Sequence, residues 1–285
     1  MGFENQLKTV LLLGLLTGIL LAIGALIGGR SGLTIALIIA LVMNFLTYWF
    51  SDKIVLFMYG AKEASKTKYH KLYELVKEVS RKASLPMPKV YIINDKSPNA
   101  FATGRNPSHS VVAFTQGILE LLDEHELKGV IAHEMAHIKN RDMLISTMAA
   151  VIAGAISYIA FMARFAAIFG GSRDNGRGMN IIELLVLVIL APLIALIIRL
   201  AISRSREFLA DETGAKTIKD PISLANALTK LNSGAKAIPM RHGNEATSHL
   251  FIVYPFSGHG LFKLFSTHPS LQERVGKLRS MAARM

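Results

Sequence analysis

Two uncharged apolar runs sit almost back to back near the start of the chain, and little but a membrane accommodates both. Residues 9–27 hold no charged side chain, and about twenty apolar residues are what a helix needs to cross the hydrocarbon of a bilayer. The second run, residues 33–50, follows after Gly28-Gly29-Arg30-Ser31-Gly32. It ends in Tyr48-Trp49-Phe50, an aromatic triplet of the kind that settles at a membrane–water boundary. A cleaved signal peptide is the competing reading of the first run, but the apolar core is long and a second run begins at once. The pair reads as a transmembrane hairpin with a very short outer turn. Gly14 and Gly18, then Gly24 and Gly28, are small residues four apart. They would let another helix approach closely, although glycine is frequent in such helices anyway.

Composition agrees with this reading. The chain of 285 residues is 51% hydrophobic, with a mean hydropathy of +0.38 and a formal net charge of +12. A basic chain can serve nucleic acid, yet no Arg–aromatic interleaving or nucleic-acid motif is present. Lys and Arg instead flank the apolar runs. Lys53, Lys62, Lys66, Lys68 and Lys71 follow Phe50 closely, and such a flank marks the cytoplasmic side of a membrane. Residues from Ser51 onward are therefore expected in the cytoplasm, with the N-terminus on the same side. Cysteine is absent, which excludes a disulfide framework and a thiol nucleophile. Any metal must be held by histidine and carboxylates.

The chemistry centres on residues 123–142, DEHELKGVIAHEMAHIKNRD. Asp123 with Glu126 forms the sequence signature of a capping box, and Leu127, Val130 and Ile131 give a core-facing stripe. On such a helix His133 and His137, four apart, share a face and reach one metal ion, zinc by preference. Glu134 stands next to the first ligand, near enough to take a proton from a metal-bound water. Further on, residues 203–211 read as a helix on which Glu207 and Asp211 share a face. Such a pair is usually only a solvated face. Beside two zinc-binding histidines, Glu207 supplies the missing third ligand and Asp211 a partner for the far nitrogen of a ligating ring.

Between these landmarks the chain is easier to place than to interpret. Residues 67–83 form an amphipathic helix pattern with Leu72, Leu75, Val76 and Val79 on one face, and Leu85-Pro86-Met87-Pro88 breaks it. Residues 89–94 and 110–115 read as strands. A further strand falls after Pro98, and residues 105–109 make a hairpin. A sheet edge beside a metal can pair with an extended peptide, which makes Asn99, Ala100, Phe101 and Ala102 candidate substrate contacts; the alternative is that they are only core. Residues 143–161 and 181–200 read as a second pair of spans, or as helices that only dip into the bilayer. The polar loop 170–178 separates them, with Arg164 and Glu183 near the outer ends. Residues 221–233 read as a short helix and 234–248 as a mobile loop. His242, His249 and His259 are read as structural or solvated.

HEMAH, SRSREFLAD and the late THPSLQER together, with NAFATG at residues 99–104, resemble the HtpX-type membrane zinc metalloproteases, relatives of the CAAX-prenyl endopeptidases. The resemblance covers nearly the whole chain. It implies an α+β membrane protein, mainly helical, with four transmembrane helices and a zincin-like catalytic domain carrying a small mixed β-sheet. The divisions expected are a transmembrane hairpin at 1–52, a first catalytic part at 53–142, a second transmembrane pair at 143–200 and a second catalytic part at 201–285. It also implies one zinc per chain on His133, His137 and Glu207, with Glu134 as base. The role implied is quality control of misfolded or damaged membrane proteins, and unfolded polypeptides, at a prokaryotic cytoplasmic membrane, with the active site on the cytoplasmic side. No nucleic-acid partner is expected. The family motif carries a histidine and an arginine at His268 and Arg274, and either would stabilise the developing oxyanion. The plainer reading is a helix N-cap and a surface ion-pair partner. A membrane chaperone or scaffold with a structural zinc site is the alternative function; it would keep the ligands and not need Glu134. An intramembrane zinc transporter is weaker, because the ligands lie at or beyond the ends of the apolar runs.

Overall fold

The computed structural model describes residues 3–154, 204–240, 245–256 and 269–285. Residues 155–203, which include the end of the third apolar stretch and all of the fourth, lie outside them, as do His242, His259 and His268.

Helical geometry runs from Phe3 to Met58 (α1), but the run is not straight. Gly29 adopts φ 53°, a left-handed conformation that glycine takes up without steric cost. Asn44 Nδ2 donates to Thr17 Oγ1 at 2.8 Å, whereas a straight helix would hold those residues about 40 Å apart. The two arms therefore fold back on one another, and the reversal needs a single residue rather than a loop. Among the described residues, the arm Gly29–Met58 is the one helix long and apolar enough to cross a membrane. Gly14 and Gly18 have nothing described within reach of an added Cβ, so no close helix approach is seen at them.

Past α1 the chain builds a four-stranded mixed sheet. Its strands are β1 (Lys62–Glu63), β2 (Lys89–Ile93), β3 (Ala100–Gly104) and β4 (Ser110–Thr115). Their order is β1-β2-β4-β3, with β2 and β4 parallel and the other neighbours antiparallel. The two-residue β1 carries no strand pattern in the sequence. Alternation along the strands sorts side chains onto two cores. Val90, Ile92, Ala100, Ala102, Val112 and Phe114 face a core shared with α2 (His70–Ala83) and the metal-motif helix. Ile93, Phe101, Val111 and Ala113 face a second core shared with Val55, Leu56 and Tyr59 of the α1 end. With both faces covered, β3 and β4 are buried throughout, which explains why neither carries a charged side chain.

After β4, Thr115 caps the short α3 (Gln116–Leu121). The helix α4 (Glu124–Asn140) then begins at Asp123 with the full capping box and ends at Arg141 in a left-handed turn. An apolar helix follows, α5, described over Met143–Gly154. This part is buried: Ile145, Met148, Ala149 and Ala150 are all inaccessible. The remaining helices are α6 (Arg204–Ile218), α7 (Pro221–Ala237) and α8 (Leu271–Ala282). Helix α7 runs further than its pattern suggests. Residues 245–250 form a 3-10 turn in which Thr247 and His249 are buried, so the end of the expected loop is packed.

Candidate metal centre

Helices α4 and α6 meet with almost no space between their backbones. A Cβ added at Gly214 would lie 2.8 Å from the carbonyl carbon of Ala132 and 2.9 Å from the amide of His133. Gly129, one turn earlier on α4, has the same relation to α7: a Cβ there would lie 2.9 Å from Leu224 Cα. These two contacts seat α4 between α6 and α7 and bring Glu207 over the histidine face.

His133 Nε2 and His137 Nε2 face each other at 3.1 Å. Glu207 completes the triangle, its carboxylate 3.8 Å from His133 Nε2 and 3.6 Å from His137 Nε2. One ligand atom from each of the three lies within 4.8 Å of the others. The far nitrogens are both occupied: His133 Nδ1 lies 2.9 Å from Asp211 and His137 Nδ1 lies 3.2 Å from Asp142. An Nδ1–H that donates to a carboxylate leaves the Nε2 lone pair free. Both rings are thus held in the tautomer that ligates a metal, and the donor set of two imidazoles and a carboxylate fits zinc.

The electrostatics favour the same conclusion. Burial lowers the pKa of His133 and keeps it neutral. Burial also opposes charge on His137, but Asp142, Glu207 and Glu134 overcome it and push that ring up to about 10. A site whose carboxylates demand positive charge suits a divalent cation in place of a proton. Glu134 is pushed up to about 7, first by burial and further by the Glu207 charge, while His137 and the Ala102 amide oppose the shift.

Asp211 is itself anchored. Arg274 Nε and Nη2 each donate to it at 2.7 Å, and Nη1 lies 3.4 Å from Glu207 and donates to the Ile252 carbonyl at 3.0 Å. Arg274, expected to face a reacting carbonyl, has a buried guanidinium whose donors reach Asp211, Glu207 and Ile252. The N-cap of α8 is Ser270, which accepts from the Glu273 amide, so the plainer alternative for His268, a helix N-cap, falls to another residue.

Asn99, Ala100, Phe101 and Ala102 lie on or beside the edge strand β3, as a substrate-pairing role requires, and that edge is covered. Ile252 N donates to Ala100 O at 3.2 Å. Asn99 Nδ2 donates to Val253 O at 2.8 Å, and Val253 N donates to Asn99 Oδ1 at 3.4 Å. Phe251 packs against Tyr59 and Phe101, and His249 Nε2 donates to Ser146 O at 3.0 Å. This strap, His249 to Val253, walls the space before Glu134 and the two imidazoles. About 30 Å³ remains, room for about one or two waters and too little for a peptide.

Sequence reading did not find Asp142, the strap or the two helix-packing glycines. Asp142 had a signal: an acid two residues past a helix end and five past a ligand, within reach of the ring when the chain turns at Arg141.

Residues 66–282 match the model of peptidase family M48. A protease HtpX homolog of Thermodesulfovibrio yellowstonii is 57% identical over 243 residues, covering 85% of this chain and 86% of its own. One of Desulforapulum autotrophicum is 55% identical over 240 residues, covering 84% and 77%. One of Desulfatibacillum aliphaticivorans is 53% identical over 276 residues, covering 96% and 89%. Among solved structures, the crystal structure of S. mikatae Ste24p shares the fold with a TM-score of 0.50 at 16% identity. That likeness covers 93% of this chain, which spans 62% of the length of the other.

Proposed function

The chain belongs to peptidase family M48 and is a metalloprotease, and from that premise we propose that it is a zinc-dependent endopeptidase of a prokaryotic cytoplasmic membrane. Its substrates on this reading are misfolded or damaged membrane proteins and unfolded polypeptides. One observation carries the chemistry: two imidazole Nε2 atoms and a carboxylate converge while both Nδ1 atoms are tied to acids.

His133, His137 and Glu207 would hold the zinc. When bound, that ion supplies Lewis acidity for the scissile carbonyl and for the attacking water. Glu134 takes the proton of that water and passes it to the leaving amine; its burial and its raised pKa suit a group that must both accept and release a proton near neutrality. Asp211 and Asp142 fix the two ring tautomers. Arg274 is a positioning residue that holds Asp211 and Glu207. His268 is the remaining candidate for a second oxyanion donor. The extended substrate pairs with β3 at Asn99 to Ala102 once the strap has moved aside.

The apolar arms of α1 and the Lys-rich stretch after Phe50 support a membrane anchor with a cytoplasmic active site. The chain then divides as a hairpin at 1–52, catalytic parts at 53–142 and 201–285, and a second membrane pair at 143–200. Detergent-purified full-length protein should contain about one zinc per chain and cleave casein. A chelator should stop cleavage and zinc should restore it. Cleavage indifferent to the chelator would overturn the zinc reading. Reporter fusions after Ser51 and at Met285 should both report cytoplasm; a split result would overturn the four-span arrangement.

A further inference from the structure

One side of α1 changes character step by step toward the catalytic sheet. Ile38, Leu41, Val42 and Phe45 are exposed apolar side chains. Trp49 follows one turn on, and Lys53 one turn after that. The rise from Ile38 to Lys53 is about 22 Å, close to half of a bilayer that is ~40–45 Å thick with its headgroups. Apolar, then aromatic, then cationic is the order in which a phospholipid of one leaflet presents its chains, its glycerol region and its phosphate.

The catalytic sheet contributes the other wall. The turn joining β3 to β4 brings Arg105 onto Trp49, its guanidinium carbon 4.5 Å from the ring centroid. Lys53 Nζ lies 5.1 Å from the Phe50 ring. Between arm and turn is a recess of about 410 Å³ that also meets Asp52 and His109. Arg105 and Lys53 have ring contacts but no hydrogen bond or ion pair among the described residues. Two cations against the single carboxylate of Asp52 leave the recess positive. Trp49, which could stack on a choline or an ethanolamine, already has a guanidinium beside it.

We propose that this recess binds the headgroup phosphate of an anionic phospholipid, between Arg105 and Lys53, with its acyl chains along the Phe45–Ile38 stripe. The inference rests on the reading of α1 as a membrane arm. The site lies at the tip of the hairpin whose β3 strand borders the metal centre, so a lipid bound there fixes the height of that strand above the bilayer.

The test is native mass spectrometry of the full-length protein, titrated in detergent with phosphatidylglycerol and, separately, phosphatidylcholine, beside flotation on vesicles of each. The parent should retain phosphatidylglycerol preferentially. Arg105→Gln and Lys53→Gln should each weaken that retention about five-fold, as loss of one interfacial cation does. Arg105→Lys should keep most of it. Zinc content and casein cleavage in detergent, equal to the parent's, establish that each variant is folded. Equal retention of the two lipids, or variants that retain phosphatidylglycerol as the parent does, would overturn the site while flotation leaves the membrane reading standing. A parent that floats with neither vesicle would overturn both.

Discussion

Arg274 grips Asp211 through two parallel hydrogen bonds of 2.7 Å each, and both side chains are buried. Such charge-assisted forks are rigid, and Asp211 transmits that rigidity to the His133 ring. The expected consequence is specific. Asp211→Ala and Arg274→Ala should both weaken zinc affinity by about 10–100-fold, the usual cost of losing an outer partner. An oxyanion donor would behave differently: its loss would lower kcat and leave zinc affinity alone. Competition with a fluorescent chelator separates the two.

Glu134→Gln should bind zinc as the parent does and cleave about 10²–10⁴-fold more slowly, since it removes a base and no ligand. Metal analysis beside a casein assay reads both. Full activity with zinc retained would instead favour a structural metal in a scaffold protein.

Gly214→Ala should destabilise the protein by about 1–3 kcal/mol. The new methyl would meet the α4 backbone at Ala132, which cannot step aside as a flexible side chain would. Because Glu207 rides on the same helix, zinc should be lost in parallel with the fall in melting temperature. A stable variant with full zinc would show that the two helices have slack.

Amide exchange reads the strap. The amides of Ile252 and Val253 donate to Ala100 and Asn99 and should be protected in the resting protein. Addition of a peptide substrate to the Glu134→Gln variant should expose them while the β2–β4 ladder stays protected. Protection unchanged with peptide bound would mean that substrate enters by another route.

Glu78 offers a pH-dependent prediction away from the metal. Hydrogen bonds from Lys128 and Lys82 pull its carboxyl down to about 2. A depressed carboxyl stabilises above its ordinary pKa, and that contribution fades as pH falls toward the depressed value. Glu78 is partly exposed, so the effect is small. Glu78→Gln should melt about 1–3 °C below the parent at neutral pH, and the gap should close between pH 4.5 and 2.

Local signals carried much of this far. The capping box, the four-residue spacing of His133 and His137, and the shared face of Glu207 and Asp211 are all decided within one or two helical turns, and each appears in the fold as the sequence suggests. The reversal in α1 was legible because glycine marks it. What was not legible depends on distant partners. Arg274 is a second-turn helical residue in any local view; only the packing of α8 against α6 turns it inward. Nothing in residues 249–253 announces that they will cover β3. The backbone contact at Gly214 becomes visible only when the neighbouring helix is known.

Tyr59, Phe101 and Phe251 meet as three mutually tilted rings, and one of the three lies just past the end of α1. Val55, Leu56 and Tyr59 thus belong to the same core as the edge strand and the strap. A soluble fragment made by cutting between the anchor and the catalytic residues must keep the final turns of α1. Cut after Tyr59, it would lose the ring that backs both the substrate edge and its cover, and its failure to cleave would say nothing about the zinc.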